Sequence, residues 1–312
     1  MQYTKPPLSI SQQITKLQER NLIISDTEKA KNYLTHIGYY RLSAYFIPFE
    51  KTDHNGQRNH HFLPETQFQN IIDLYIFDRK LRLFIMEAIE RIEVTIRTSW
   101  ASALALENSN SHAYIEASFF NDPQKHKDML SRASAGLNKS KEVYVSHYKN
   151  KYTQPDLPPI WAMVESLSFG SLSHWVKLTT SNKVKSSITK NLGLPTIKIM
   201  EKILHILTYV RNLCAHHSRV WNKRLTMQLP LIKHFKNDMV TKTISSKHNG
   251  QESTREIYNY LVVLAHLMQH IQPNTTWVKR LVAHIQTLDE KHHIKMGFPL
   301  AWQTKSLWQN NT

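Results

Sequence analysis

Residues 68–100, FQNIIDLYIFDRKLRLFIMEAIERIEVTIRTSW, set Ile71, Leu74, Leu81, Phe84, Ile85, Ala88, Ile92 and Ile96 at helical intervals along one side. That spacing predicts a single helix from about Thr66 to Leu106. At about 1.5 Å per residue it exceeds roughly 45 Å, a length that suits the spine of a bundle. Its charges fall mainly elsewhere and read as a solvated face. Glu93 and Arg97 are four apart and can pair, and Glu90 shares Arg97's face two turns away.

The rest of the chain agrees with this helix. Only 7 glycines occur in 312 residues, few for a sheet protein that turns often. Hydrophobic residues make up 41% and charged residues 21%, mixed in sign, which is the composition of a folded chain. The fold class expected is all-α. Lys and Arg number 40 against 24 Asp and Glu, a formal charge of +16, so polyanions and above all nucleic acid lead as partners. No run of about 18 apolar residues occurs, and the start MQYTKPPLSISQQ lacks the apolar core of a signal peptide. With Cys214 as the single cysteine, neither a disulfide framework nor a zinc ribbon can form within one chain. A cytoplasmic protein away from the membrane is expected.

Three regions are expected: 1–60, an N-terminal helical region; 61–235, a helical core; and 236–312, a polar tract, a helix and a tail packing on the core. In the first, Ser9 or Ser11 caps a helix to about Arg20, and Asp26 caps a second that is helical from Lys29. The pair resembles a helix-turn-helix. KTDHNGQRNHHFLPE (51–65) reads as a linker or exposed loop. Farther on, 107–159 mixes helix with polar breaks, and IWAMVESLSFGSLSHWV (160–176) reads as two short helices hinged at Gly170. Another long helix is expected over 195–221 with Pro195 in its first turn. The polar tract KNDMVTKTISSKHNGQESTRE (236–256) precedes the helix IYNYLVVLAHLMQHI (257–271). In the tail, Trp302 and Trp308 read as packing anchors.

TYVRNLCAHHSRVW (208–221) carries the candidate chemistry. Arg211 and His216 stand five residues apart, the spacing of a class of metal-free ribonucleases. A chain with 18 histidines and this many arginines holds about one such pair by chance, and no second Arg-x4-His occurs. Context has to supply the specificity. With Ile203, Leu207, Val210 and Cys214 as the buried stripe, Asn212 and His216 lie about 200° and 240° from Val210, on the opposite face. Arg211 sits at the edge, about 140° from His216 on a regular helix, so the two do not converge within one copy. A second copy packed antiparallel across a two-fold axis brings two arginines and two histidines into one cleft. The rival reading is a helix C-terminus, where His216, His217 and Arg219 complement the dipole. The pairs His60–His61, His216–His217 and His292–His293 suggest metal only weakly, since adjacent histidines point apart and no HExxH accompanies them. No Gly-rich phosphate loop or G-x-S-x-G elbow is present. No metal and no cofactor are expected.

Four blocks and a tail resemble the Abi-like family of abortive-infection proteins, the AbiD/AbiF group within the HEPN superfamily. They are LTHIGYYRLSAYFIPF (34–49), LYIFDRKLRLFIMEAIERIEVTIR (74–97), LPPIWAMVESLSFGSLSHW (157–175), VRNLCAHHSRVWN (210–222) and MGFPLAW (296–302). The resemblance implies an all-α HEPN-type bundle, a phage-defence role in which infected cells stop growing, and metal-independent RNA cleavage. Arg211 and His216 match the superfamily's catalytic pair and Asn212 its polar neighbour. His217, Arg219 and Arg97 are the candidate RNA contacts, while Glu90 and Glu93 carry no assigned role. RNA is the implied substrate, a homodimer the implied assembly, and a small noncoding RNA antitoxin a further partner suggested by relatives. The competing expectations are a catalytically idle RNA-binding or regulatory protein of the same system and, third, a helix-turn-helix DNA-binding regulator.

Overall fold

The computed structural model describes residues 2, 4, 6–243 and 250–309; part of the expected polar tract, 244–249, lies outside the described residues. Among those described, fourteen α-helices, seven short 3-10 helices and two small antiparallel sheets account for the regular structure, so the chain is all-α. The helices are α1 (Ile10–Glu19), α2 (Thr27–His36), α3 (Tyr39–Ser43), α4 (Phe68–Glu107), α5 (Pro123–Lys139), α6 (Val143–Lys151), α7 (Ile160–Met163) and α8 (Phe169–Leu178). They continue as α9 (Asn182–Asn191), α10 (Ile197–Ala215), α11 (Ile257–Ile271), α12 (Trp277–Gln286), α13 (Glu290–His293) and α14 (Ser306–Gln309). The chain divides into two compact units, Met1–Leu81 and Arg82–Thr312.

In the first unit the helix starts follow from their caps. Ser9 Oγ accepts the Gln12 amide at 3.3 Å while Gln12 Oε1 accepts the Ser9 amide at 2.8 Å, a reciprocal capping box that opens α1. Asp26 accepts the Lys29 amide at 2.9 Å and starts α2 at Thr27, two residues ahead of the expectation. The expected loop over 51–65 is corrected. It is an antiparallel hairpin, β1 (Glu50–Thr52) with β2 (Arg58–Phe62). Its turn is closed by Asp53 Oδ1, which accepts the amides of Asn55 at 2.9 Å and Gln57 at 2.8 Å, and Gly56 supplies the positive φ of 75°. Two buried residues at the far end fix the register. The Glu50 carboxylate takes Arg20 and, at 2.9 Å, Arg58, and Phe62 is fully buried. Arg58 to His61 are all exposed, so no inside-outside alternation marked this strand in the sequence.

In the second unit the run of α4 from Arg82 buries Ile85, Ala88, Ile92, Ile96 and Trp100. Trp100 donates its indole N–H to Thr179 Oγ1 at 3.0 Å, and Trp277 of α12 donates to the Phe84 carbonyl at 3.0 Å. The expected hinge at Gly170 is also corrected. The helical path breaks at Leu167–Ser168, where Ser168 Oγ caps α8 through the Ser171 amide at 3.2 Å. Gly170 lies inside the first turn of α8, and a Cβ there would stand 3.5 Å from Thr208 of α10. That is ordinary van der Waals contact, so α8 and α10 pack here without requiring a glycine. Trp302 and Trp308 are packing anchors, 3% and 1% exposed, with Trp308 donating to the Tyr258 hydroxyl at 3.2 Å. Among the described residues no helix is long and apolar enough to cross a membrane.

Candidate functional site

The motif occupies the last turn of α10 and the chain just beyond it. Thr196, not Pro195, starts the helix by accepting the Ile199 amide at 3.2 Å, and Ile203, Leu207, Val210 and Cys214 form its buried line. The helix ends at Ala215, earlier than the expected 221. His216 is the C-cap at φ −87° and ψ 13°, and His217 takes a left-handed φ of 57°. The His217 amide donates to the Cys214 carbonyl at 3.0 Å and the Ser218 amide to the Leu213 carbonyl at 2.9 Å, the two bonds of a Schellman motif.

This termination leaves the angular relation inferred for a regular helix nearly unchanged, because the His216 amide still bonds the Asn212 carbonyl at 3.0 Å. His216 no longer extends α10 as a helical residue; it sits where the backbone turns away, with its side chain exposed beside that of Asn212. Arg211 is half-buried and reaches Asn212 Oδ1 within 3.4 Å. Among the described residues no hydrogen bond joins Arg211 to His216. One copy of the chain thus presents a guanidinium with its amide acceptor, and an imidazole on the same helix end, facing solvent.

Two groups hold this end from behind. Arg82 of α4, 5% exposed, places Nη1 within 3.4 Å of the Ser218 carbonyl, just past the left-handed turn. Trp221 is fully buried and meets the His292 ring edge-on at 5.7 Å. Burial first, and Lys291 beside it, lower the His292 pKa below its ordinary value. Arg82 escaped the sequence reading because helical periodicity marks it only as a charge beside an apolar stripe; its partner lies far along the chain.

The six expected site residues separate into two places. Arg211, Asn212, His216 and His217 share the end of α10, with His217 exposed; Arg219 is half-buried and turns Nη2 toward the Asn222 carbonyl within 3.4 Å. Arg97, the other RNA contact expected, lies apart from the end of α10. It is 9% exposed, and its guanidinium donates to the carbonyls of Val164 and, at 2.7 Å, Leu167, as well as to Glu93. Glu93 and Arg97 do pair, but as an enclosed clamp on the segment between α7 and α8 and not as a solvated face. Glu90 is exposed. Among the described residues no three His, Cys, Asp or Glu side chains gather as metal ligands would.

A left-handed His217 is a costly choice, since a β-carbon there raises the energy by about 1–2 kcal/mol where glycine meets no such penalty. Glycine gives back roughly 0.5–1 kcal/mol through its freer unfolded chain. His217→Gly is therefore expected to raise the unfolding free energy slightly, by up to about 1.5 kcal/mol, read as a higher denaturant midpoint. A clear fall in stability would show that contacts of the imidazole outweigh the backbone penalty.

A family model described as Abi-like protein matches residues 32–222, a span that takes in α4, α8 and the whole motif and leaves out the 296–302 tail block. No curated protein and no solved structure matches the chain.

Proposed function

Because the chain belongs to the Abi-like protein family, we propose that it acts in abortive infection as a HEPN-type, metal-independent endoribonuclease, with Arg211, Asn212 and His216 at the cutting site. The observation that carries this reading is the exposed end of α10, where Arg211, Asn212 and His216 meet solvent on a chain of formal charge +16. RNA supplies its own nucleophile. The 2′-hydroxyl attacks the adjacent phosphorus as a base takes its proton; the P–O5′ bond breaks and the leaving 5′-oxygen takes a proton. The products are a 2′,3′-cyclic phosphate and a 5′-hydroxyl. Base and acid act together in this step, which calls for two imidazoles: His216 from each of two chains related by a two-fold axis serves both roles. Arg211 neutralises the phosphorane oxygens, and Asn212, whose Oδ1 lies 3.4 Å from Arg211 Nη1, steadies the guanidinium. His217 and Arg219 flank the cleft as phosphate contacts. A small noncoding RNA antitoxin would occupy the same cationic surface.

The alternative is an idle binder in which the same residues grip phosphate without cutting. The Schellman turn favours it, because a helix cap accounts for the geometry of His216 and His217 with no chemistry. Incubation with total RNA in EDTA separates the two readings. The ribonuclease reading expects cutting by the wild-type chain and at least about a 10²-fold loss in Arg211→Ala, the scale for removing a group that holds developing anionic charge. RNA bound and left whole under every inducing condition would leave the idle binder standing.

A further inference from the structure

A cleft of about 610 Å³ between α5 and α8 has no role in the account so far. Its size is that of a small-molecule site. Met129, Ala133 and Gly136 of α5 form one wall, Leu167 and Trp175 another, and polar side chains of α8 close the rim. The opposite side of α8 packs on α10, with Gly170 toward Thr208, so α8 stands between the cleft and the motif.

Folding of the chain leaves three features of this cleft unexplained. The side chains of Arg132, His174 and Lys177 line it without an ion-pair or hydrogen-bond partner among the described residues. Arg132 has an acid one turn away at the spacing that favours pairing, yet this residue, Asp128, accepts the Gln124 side-chain amide at 3.1 Å and makes no ion pair with it. Lys125, by contrast, is neutralised by Asp122 at 2.7 Å. Ser168 Oγ donates to Ser171 Oγ at 3.1 Å, which leaves the Ser171 hydroxyl proton without an acceptor among the described residues. Gly136 lies within α5, where glycine is a poor helix former, and a Cβ there would meet nothing within 4 Å. No packing within the chain calls for the missing methyl.

We propose that the cleft binds a small phosphate monoester with a planar, apolar body. Ser171 and His174 are three residues apart on α8 and share a face. α5 starts beside the end of α8, where the Asn121 amide donates to the Leu178 carbonyl at 2.9 Å, and its His126 ring meets that of Trp175 at 5.5 Å. Arg132, farther along α5, is thereby carried back toward Ser171. The guanidinium, the hydroxyl and the imidazole N–H make three kinds of donor, which suit the three free oxygens of a phosphate better than the two of a carboxylate. Lys177 adds positive charge to the rim. Ala133 and Gly136, three apart on α5, leave that wall nearly bare, a flat shelf on which a ring can lie against the backbone, and the Met129 thioether beside it suits an aromatic edge. No residue of the motif takes part, so the proposal stands apart from the cleavage reading.

Titration calorimetry on the full chain tests this with phenyl phosphate, inorganic phosphate, benzoate and phenol as probes. The expected result is a single phenyl phosphate per chain, bound at least about tenfold more tightly than each of the other probes. Arg132→Gln should weaken it by at least about tenfold, and so should Gly136→Leu, which fills the shelf. Both positions are exposed, and glutamine and leucine are good helix formers, so neither variant should melt below the wild type. Arg211→Ala should bind phenyl phosphate as the wild type does. No binding of phenyl phosphate, benzoate bound as tightly, or both cleft variants binding at wild-type affinity overturns the proposal. Binding that survives Arg132→Gln and is lost in Arg211→Ala places the anion on the motif and overturns it as well.

Discussion

His216→Ala is expected to lower RNA cleavage by about 10²–10⁴-fold, the contribution of a positioned proton-transfer group. It should leave the fold nearly untouched. The imidazole is exposed, and at the C-cap the His216 backbone amide makes the capping bonds, to Asn212 and Cys214. Alanine keeps that amide, so the stability change belongs with ordinary surface substitutions, within about 0.5 kcal/mol. Initial rates on a labelled single strand, taken with a thermal melt of the same preparation, separate chemistry from folding. In cells, growth arrest after induction of the wild-type chain should disappear with the variant. A variant that cuts at the wild-type rate would remove His216 from the mechanism, and one that unfolds would make it a structural cap.

Arg97→Met should have the opposite signature, a large loss of stability with no chemistry of its own. The change strands the Val164 and Leu167 carbonyls and leaves Glu93, 17% exposed at its side chain, without its cation. Breaking such an enclosed pair costs about 3–5 kcal/mol. The segment that Arg97 holds leads into α8, which packs on α10 at Thr208. Loss of the clamp therefore loosens the support of the motif helix, and activity should fall in step with the folded fraction. Arg97→Lys should recover only part of the loss, because one ammonium cannot reach three acceptors with the fork of a guanidinium. Denaturant midpoints check the order wild type, then lysine, then methionine. Equal midpoints together with weakened RNA affinity would make Arg97 an RNA contact and not a structural clamp.

Local rules carried far along this chain and stopped where distant partners decide. Ser9 and Asp26 announce their helices because a cap acts over three residues, and α4 announces itself because its apolar stripe is long. The buried line of α10 and its exposed Asn212 and His216 follow from the same periodicity. Three features stayed hidden. The hairpin at 50–62 depends on Glu50 meeting Arg20, a pairing across 30 residues that no local pattern carries. Arg97 reads as a surface charge until its partners near Val164 are known. The end of α10 was missed because the left-handed position of its Schellman turn is His217, where the expected signal is glycine. The family match covers the motif, whose residues the local pattern had already singled out.

The central claim is that RNA is cut by its own 2′-hydroxyl at a site built from Arg211 and His216. It is tested most directly by the ends of the cut strand. A single-stranded RNA is incubated with the wild-type chain in EDTA, beside the same RNA carrying 2′-deoxyribose at the mapped cut position, and the products are weighed by mass spectrometry. The account predicts a 2′,3′-cyclic phosphate and a 5′-hydroxyl from the first RNA and no cut at the substituted position of the second. Cleavage at that position despite the missing hydroxyl, or products ending in a 3′-hydroxyl, would contradict it.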